Sequence, residues 1–328
     1  MQYRAFGNTG LEVSVLGYGC GSVGGLMVRG EHRDMLRTVE YALESGVNYF
    51  DTARMYGDGL SEVHTGAILR ELGAYDALVG TKVRLSAAEF GNIEEVIEAQ
   101  ISNSLQRIGR DNVDIVYTHN SIGAASNPDG GQLGLEDLER IVGVFNRAVE
   151  SGKIRFWGIN GLGDTETIQS AVDRFGPSGM HTCYNMLNPS SSHEMSTGFP
   201  YQDYGQLMQK TAEKGIGSVG IRILAGGALT GDSVRHPLAA QDVAPIATGQ
   251  TLSEDLARTS QFSFLVEDGY TENLAEAAIR FALSAENLST ALVGLSSFDQ
   301  LEQAVAATNK GPLPSDALEK LEGIWDAY

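Results

Sequence analysis

The chain is poor in several features, and each scarcity removes a class of protein. It has two cysteines in 328 residues, Cys20 and Cys183. One pair makes no disulfide framework, so a reducing compartment is expected. Positive charge is also scarce, with 23 Lys and Arg against 42 Asp and Glu and a formal charge of −19. That balance argues against nucleic acid or an anionic membrane surface as partner. No apolar run approaches the roughly 20 residues that cross a bilayer. The opening Met1-Gln-Tyr-Arg-Ala-Phe-Gly lacks the apolar core of a secretory signal. A soluble, cytoplasmic protein is the expectation. The histidines His32, His64, His119, His181, His193 and His236 show no ligand pair at helical or strand spacing, so no metal is expected. No Gly-x-Gly-x-x-Gly turn joins an early strand to a helix, which counts against an open doubly wound sheet.

What is present is a rhythm. Apolar runs of strand length occupy 13–18, 47–51, 77–82, 113–119, 154–160, 180–184, 217–224 and 290–295. Their continuous apolar character fits parallel strands buried on both faces. Amphipathic helical patterns fill 33–45, 61–72, 92–108, 135–150, 165–175, 204–214 and 271–285; the third carries Ile93, Val96, Ile97, Ile101, Leu105 and Ile108 on one stripe. No change of composition divides the chain. Residues 1–328 therefore read as one α/β domain, a single (β/α)8 TIM barrel. Long polar segments at 121–134, 189–202 and 232–261 each follow a strand, which places them on the C-terminal face, where loops carry chemistry and shape a pocket.

The scarcity of lysine singles out one residue. Lys82 is the only lysine before Lys153 and closes the apolar run Ala77-Leu-Val-Gly-Thr81. A lysine there is costly unless something pairs with it or uses it. Asp51, Tyr56 and His119 stand at or just beyond the ends of neighbouring runs. Taken singly, each has an ordinary reading: a turn or packing residue, a satisfied buried imidazole, a structural ion pair. Together, at the ends of three successive strands, they suit proton transfer at a carbonyl or alcohol oxygen. A tyrosine with an ordinary pKa near 10 is a poor acid or base. A nearby lysine lowers the cost of the phenolate, a carboxylate holds the lysine, and an imidazole orients the oxygen. A barrel lyase or isomerase using Lys82 as a Schiff base is the competing chemistry.

The segments around these residues resemble the aldo-keto reductase family. Gly46-Val-Asn-Tyr-Phe-Asp51-Thr-Ala-Arg-Met-Tyr56-Gly followed by Ser61-Glu62 is similar to that family's Asp and Tyr signature. Val79-Gly-Thr-Lys82 is similar to its lysine strand, and Ser104-Leu-Gln-Arg-Ile-Gly109 with Val113-Asp-Ile and His119 to its histidine segment. Tyr3-Arg-Ala-Phe-Gly-Asn-Thr-Gly-Leu-Glu-Val-Ser14 resembles its N-terminal hairpin, which plugs the barrel floor. The resemblance implies NADPH or NADH as cofactor and hydride exchange with a small aldehyde, ketone or sugar. Tyr56 would be general acid or base, Lys82 and Asp51 would tune it, and His119 would place the oxygen. L-galactose and L-fucose dehydrogenase-like members suggest oxidation of a sugar as one alternative. A low-turnover cofactor-binding or regulatory subunit is another, which the intact set argues against.

The resemblance also implies cofactor contacts, with departures. Asn160 and His181 fall where the family has a Ser and a Gln near the nicotinamide carboxamide. Gly220 falls near an expected stacking aromatic and cannot stack. Arg222 is open between the pyrophosphate, a substrate acid and an acidic neighbour. Leu224 is a further candidate cofactor contact, as is Gly226 in the small-residue loop 225–231, which lets backbone approach phosphate. Gly294, Ser296, Ser297 and Gln300 belong to the turn into a helix expected near Phe298, with the last three on the adenosine side. No Arg or Lys lies between Gly294 and Glu302, and Asp299 is acidic. NAD, or dual use of NAD and NADP, follows. Asn120 and Tyr184 are candidate substrate contacts.

Overall fold

The computed structural model describes residues 1–328. Eight parallel strands close into a barrel: β1 Leu16–Gly19, β2 Tyr49–Asp51, β3 Leu78–Val83, β4 Val113–Thr118, β5 Ile154–Asn160, β6 Gly179–Cys183, β7 Gly217–Ile221 and β8 Thr290–Gly294. Each pairs with the next, and β8 closes on β1 through Ala291↔Leu16 to Gly294↔Gly19. The helices that follow them in order are α1 His32–Glu44, α2 Leu60–Glu71, α3 Ile93–Ile108, α4 Leu135–Glu150, α5 Thr165–Phe175, α6 Leu207–Glu213, α7 Leu274–Ser284 and α8 Phe298–Asn309; α9, Ser315–Trp325, ends the fold. This is the expected (β/α)8 barrel. Every residue of β3 and of β4 is buried, as strands covered on both faces require.

Alternation along each strand sorts side chains between two cores. Tyr49, Leu78, Ile115, Tyr117, Val219 and Leu292 meet inside the barrel, while Phe50, Val79, Val116 and Val293 join the shell between strands and helices. The two-residue period of a strand then sends Asp51, Lys82 and His119 inward, because they lie two or four residues beyond Tyr49, Leu78 and Tyr117. His181, two beyond Gly179, follows the same rule. A Cβ on Gly179 would stand 2.7 Å from the Phe6 ring, so that position also faces the interior.

The run at 13–18 is two elements rather than one. Glu12–Ser14 pairs antiparallel with Tyr3–Ala5, and β1 starts only at Leu16. The corner is held by side chains: Ser14 N–H donates to Asn48 Oδ1 at 2.7 Å, and Ser14 Oγ donates to the Leu16 carbonyl at 2.7 Å. Phe6, in the turn between the hairpin strands, fills the barrel floor with Leu11 and Val13. Its ring occupies space left by missing Cβ atoms at Gly179 and Gly217. Arg4 fastens the hairpin from below by donating to the carbonyls of Leu283, Ala285 and Leu288 at 2.6 to 2.7 Å.

Other boundaries differ locally. β7 stops at Ile221, short of 224, because Arg222 takes a left-handed φ of 60°. α6 starts at Leu207, after left-handed Gly205 and Gln206. The three long segments all leave the C-terminal ends of strands but do different things. Residues 121–134 fold on themselves through a short Ser121–Ile122 and Gln132–Leu133 pair. Residues 189–202 lie against the C-terminal segment, with the His193 ring 4.8 Å from that of Trp325 and Ser196 Oγ donating to the Tyr328 carbonyl at 2.9 Å. Only residues from 232–261 border the large cavity described below. Truncating the floor plug, Phe6→Ala, is expected to cost about 3–5 kcal/mol. Urea unfolding of the variant beside the parent measures it.

Candidate active site

Asp51, Tyr56, Lys82 and His119 come together at the C-terminal mouth. Neighbouring strands β2, β3 and β4 bring them there, Tyr56 arriving from the turn after β2. Lys82 Nζ donates to Asp51 Oδ1 and, at 2.8 Å, to the Thr52 carbonyl. The ammonium lies 4.8 Å from the centre of the Tyr56 ring. The His119 ring meets Tyr56 edge-on at 5.6 Å and 88°. Asp51 and Lys82 are 3% and 2% exposed, so solvent screens the ion pair weakly. Asp51 Oδ2 is 3.1 Å from His181 Nε2.

The environment sets each charge. Burial disfavours the Asp51 carboxylate, but Lys82 and His181 outweigh it and hold its pKa at about 2. Burial likewise opposes the Lys82 charge, and Asp51 and Tyr56 more than restore it. Burial raises the Tyr56 phenol above its ordinary value, with Lys82 opposing and Asp51 adding to the rise. Tyr56 is thus a protonated phenol at neutral pH, with a cation placed to favour its ionised form. Burial, then the charge of Lys82, press His119 down to about 3, so its imidazole is neutral. Its Nδ1 is buried without a partner. An orphaned lone pair costs less than an orphaned N–H, so the proton belongs on Nε2, and His119 is a hydrogen-bond donor.

Beside this cluster a cavity of about 590 Å³ runs from Asp51 and Tyr56, past the ends of β7 and β8, to α7 and α8. That is within the usual range of roughly 300–1,000 Å³ for a small-molecule site. Arg222, Leu224, Gly226, Gly294, Ser296 and Gln300 line it. Left-handed Arg222, Ala225, Gly226 and Gly227, with φ of 60°, 47°, 69° and 110°, make the chain after β7 a tight series of turns. α8 begins at Phe298 and is capped by Ser297, whose Oγ accepts from Gln300 N–H at 3.4 Å. Ser296 Oγ ties this turn to the β1 loop by donating to the Gly24 carbonyl at 2.6 Å. Gly24 must be glycine, since a Cβ there would stand 2.3 Å from Leu295 N.

Residues 15–326 match the model of the Aldo/keto reductase family. The chain belongs to that family. It is 28% identical over 318 residues to L-galactose dehydrogenase of Arabidopsis thaliana, covering 94% of this chain and 89% of the relative. It is 27% identical over 336 residues to pyridoxal 4-dehydrogenase of Microbacterium luteolum, covering 92% and 91%. A probable voltage-gated potassium channel subunit beta of Arabidopsis thaliana is 26% identical over 341 residues, covering 99% and 96%. The solved structure of aldo-keto reductase AKR11C1 from Bacillus halodurans, in its holo form, shares the fold with a TM-score of 0.72 at 22% identity, over 100% of this chain and 97% of that one. No helix is long and apolar enough to cross a membrane.

Within this aldo/keto reductase, several expected contacts lie elsewhere. Tyr184 is buried against Phe281, with rings 4.8 Å apart, and faces the helix shell instead of a substrate. Asn120 is spent on structure: its amide accepts from Leu85 N–H at 2.8 Å and donates to the carbonyls of Leu85 and Gly131. Asn160 is buried and donates to the carbonyls of His119 and Asn120 at 3.1 and 3.3 Å, which fixes the backbone that carries the imidazole. His181 is bound to Asp51 and does not line the cavity, nor does the capping residue Ser297. At the end of β7 it is Ile221, not Gly220, that faces the cavity.

The sequence reading missed Arg235. Its Nη1 donates to the Gly226 carbonyl at 2.7 Å, and neither it nor Arg222 has a carboxylate partner. Its sole sequence signal was membership of a long loop after a strand. Glu272, Glu276 and Lys310 at the far end of the cavity were also unmarked.

Histidines held neutral carry a pH consequence. In the folded state the pKa values of His119 and His181 lie below the ordinary value, while the unfolded chain protonates near pH 6.5. As pH falls below about 6.5 the unfolded state takes up protons that the native state refuses, and stability drops. Asp51 adds to the loss below about pH 4. Urea midpoints are therefore expected to fall from pH 7 to pH 5, with a shallower fall in His119→Asn.

Proposed function

We propose that this protein exchanges hydride between a nicotinamide cofactor and the carbonyl or alcohol carbon of a small aldehyde, ketone or sugar, with Tyr56 as general acid in reduction and general base in oxidation. The observation that carries this reading is the buried Lys82–Asp51 pair placed against a protonated Tyr56 at the mouth of the cavity. A purely structural ion pair has no need of a phenol and a neutral imidazole beside it.

The cavity residues fit such a cofactor. Two guanidiniums without acidic partners, Arg222 and Arg235, flank the left-handed turns at Gly226 and Gly227 and suit a pyrophosphate. The start of α8 presents free backbone N–H groups to an anion. When bound, the cofactor supplies the hydride donor or acceptor. The protein's part is at the oxygen. His119 Nε2–H holds the carbonyl oxygen, and Tyr56 O–H gives it a proton as negative charge develops there. Lys82 stabilises the phenolate left behind, and Asp51 keeps Lys82 charged and in place. In oxidation the same phenolate takes the proton back from the alcohol.

The far end of the cavity favours NAD. Its cation, Lys310, is engaged by Glu272 Oε1 and Glu276 Oε2 at 2.7 Å each. Arg37 lies over the Phe298 ring, outside the cavity lining. A ribose diol suits carboxylates, whereas a 2′-phosphate needs a free cation. Together with relatives named for L-galactose and pyridoxal dehydrogenation, this supports a second, narrower reading: NAD-dependent oxidation of a sugar or related alcohol. The relative named as a channel subunit leaves a non-catalytic role as the alternative, which measurable turnover on any carbonyl or alcohol would count against.

Tyr56→Phe is expected to lower turnover by about 10²–10⁴-fold on a panel of carbonyls and sugars. Its cofactor affinity, read by fluorescence titration, should be nearly unchanged; parent-like turnover would end the mechanism. Arg222→Met and Arg235→Met are each expected to weaken NAD binding by about 10–100-fold, the worth of a charged hydrogen bond. Parallel titrations with NADH and NADPH should favour NADH.

A further inference from the structure

His181 is the inward residue of β6 above Gly179, and its partner stands on the opposite wall. β2 and β6 are four places apart in a ring of eight strands, so the 3.1 Å contact between Asp51 Oδ2 and His181 Nε2 spans the lumen. We propose that His181 is a positioning residue that braces Asp51 across the barrel and sets how Lys82 presents its charge to Tyr56. The proposal rests on the role of Tyr56 given above.

The geometry leaves the imidazole little freedom. Its ring lies against that of Tyr117 at 4.1 Å and 24°, and the Tyr117 hydroxyl is tied to that of Tyr49 at 3.0 Å. Each Asp51 oxygen has one side-chain donor, Lys82 on Oδ1 and His181 on Oδ2. Asp51 is ionised, so the proton in the second contact sits on Nε2 and the imidazole donates. Donation draws electron density toward Oδ2. Oδ1 then attracts Lys82 less, and more of the ammonium's field reaches the phenol. The contact with Asp51 is the hydrogen bond that the His181 ring makes within the protein.

Other groups also face this centre. Lys82 from β3, Asp51 from β2, Cys20 after β1 and Arg222 after β7 act on Tyr56, and His119 stands edge-on to it. Around Asp51 are Lys82, His181 and Cys20, with Tyr49 and Tyr117 beneath. Among these, His181 is the one that gives Asp51 a second donor without adding a charge.

His181→Phe keeps a flat ring against Tyr117 and removes the N–H. The Tyr56 titration can be read without cofactor as tyrosinate absorbance, by difference from proteins carrying Tyr56→Phe. It should move up by about one unit in His181→Phe, and the alkaline limb of the oxidative rate should move with it. His181→Gln restores an N–H donor and should bring both back toward the parent. An unmoved Tyr56 titration in His181→Phe overturns the proposal. So does a rise of about tenfold or more in the NAD dissociation constant without that shift, which makes His181 a cofactor contact. If His181→Phe does not fold, nitrogen NMR of the parent protein decides: a proton on Nε2 through the neutral range supports the brace, and a proton on Nδ1 overturns it. The role of Tyr56 fails separately, by parent-like turnover of Tyr56→Phe, in which case the tyrosinate difference still reports on His181.

Discussion

A single carboxylate at the mouth of the barrel organises the cluster around it. Asp51 accepts from Lys82 on one oxygen and contacts His181 through the other, and both partners are buried with it. Removing one partner from a buried ion pair leaves an uncompensated charge, typically a loss of about 3–5 kcal/mol. The carboxylate therefore ties β2, β3 and β6 together at the depth where chemistry is proposed. At this level the barrel carries a matched charge network where an ordinary core would carry apolar packing, and desolvation offsets much of what the pairing contributes.

Below that network the barrel is filled by side chains and the N-terminal plug. Phe6 sits under Tyr49 and Tyr117, and Tyr117 in turn supports His181. A continuous stack thus runs from the hairpin to the ion pair. Close packing transmits displacement along such a column, so the floor of the barrel helps fix the geometry of its mouth. The long loop at 232–261 performs a different service, placing Arg235 on the Gly226 carbonyl over the cavity.

Much of the fold was legible because a barrel repeats one local pattern. The expected strands at 113–119 and 154–160 correspond closely to β4 and β5, and the stripe on 92–108 to α3. The errors fall where side chains or left-handed residues interrupt the pattern. Ser14 and Asn48 break the run at 13–18, and the positive φ of Arg222 ends β7 early. The candidate site was legible in its charged half because Asp51, Lys82 and His119 end successive strands, and strand adjacency follows chain order there. Its other half was not. Asn120 and Tyr184 also follow strands, yet one is consumed by backbone groups and the other turns outward against Phe281.

The sequence by itself determined the architecture, the placing of the charged residues at strand ends and the family, because these depend on periodicity and on residues close in the chain. The tertiary structure alone decided which atoms meet. His181 and Asp51 are 130 positions apart on opposite walls, and Arg235 reaches Gly226 only because a long loop folds back. Side-chain hydrogen bonds depend on distances of a few tenths of an ångström between strands, and no local pattern of residue types encodes them. The sequence alone thus placed His181 beside a cofactor, and the closed barrel gave its hydrogen bond to Asp51.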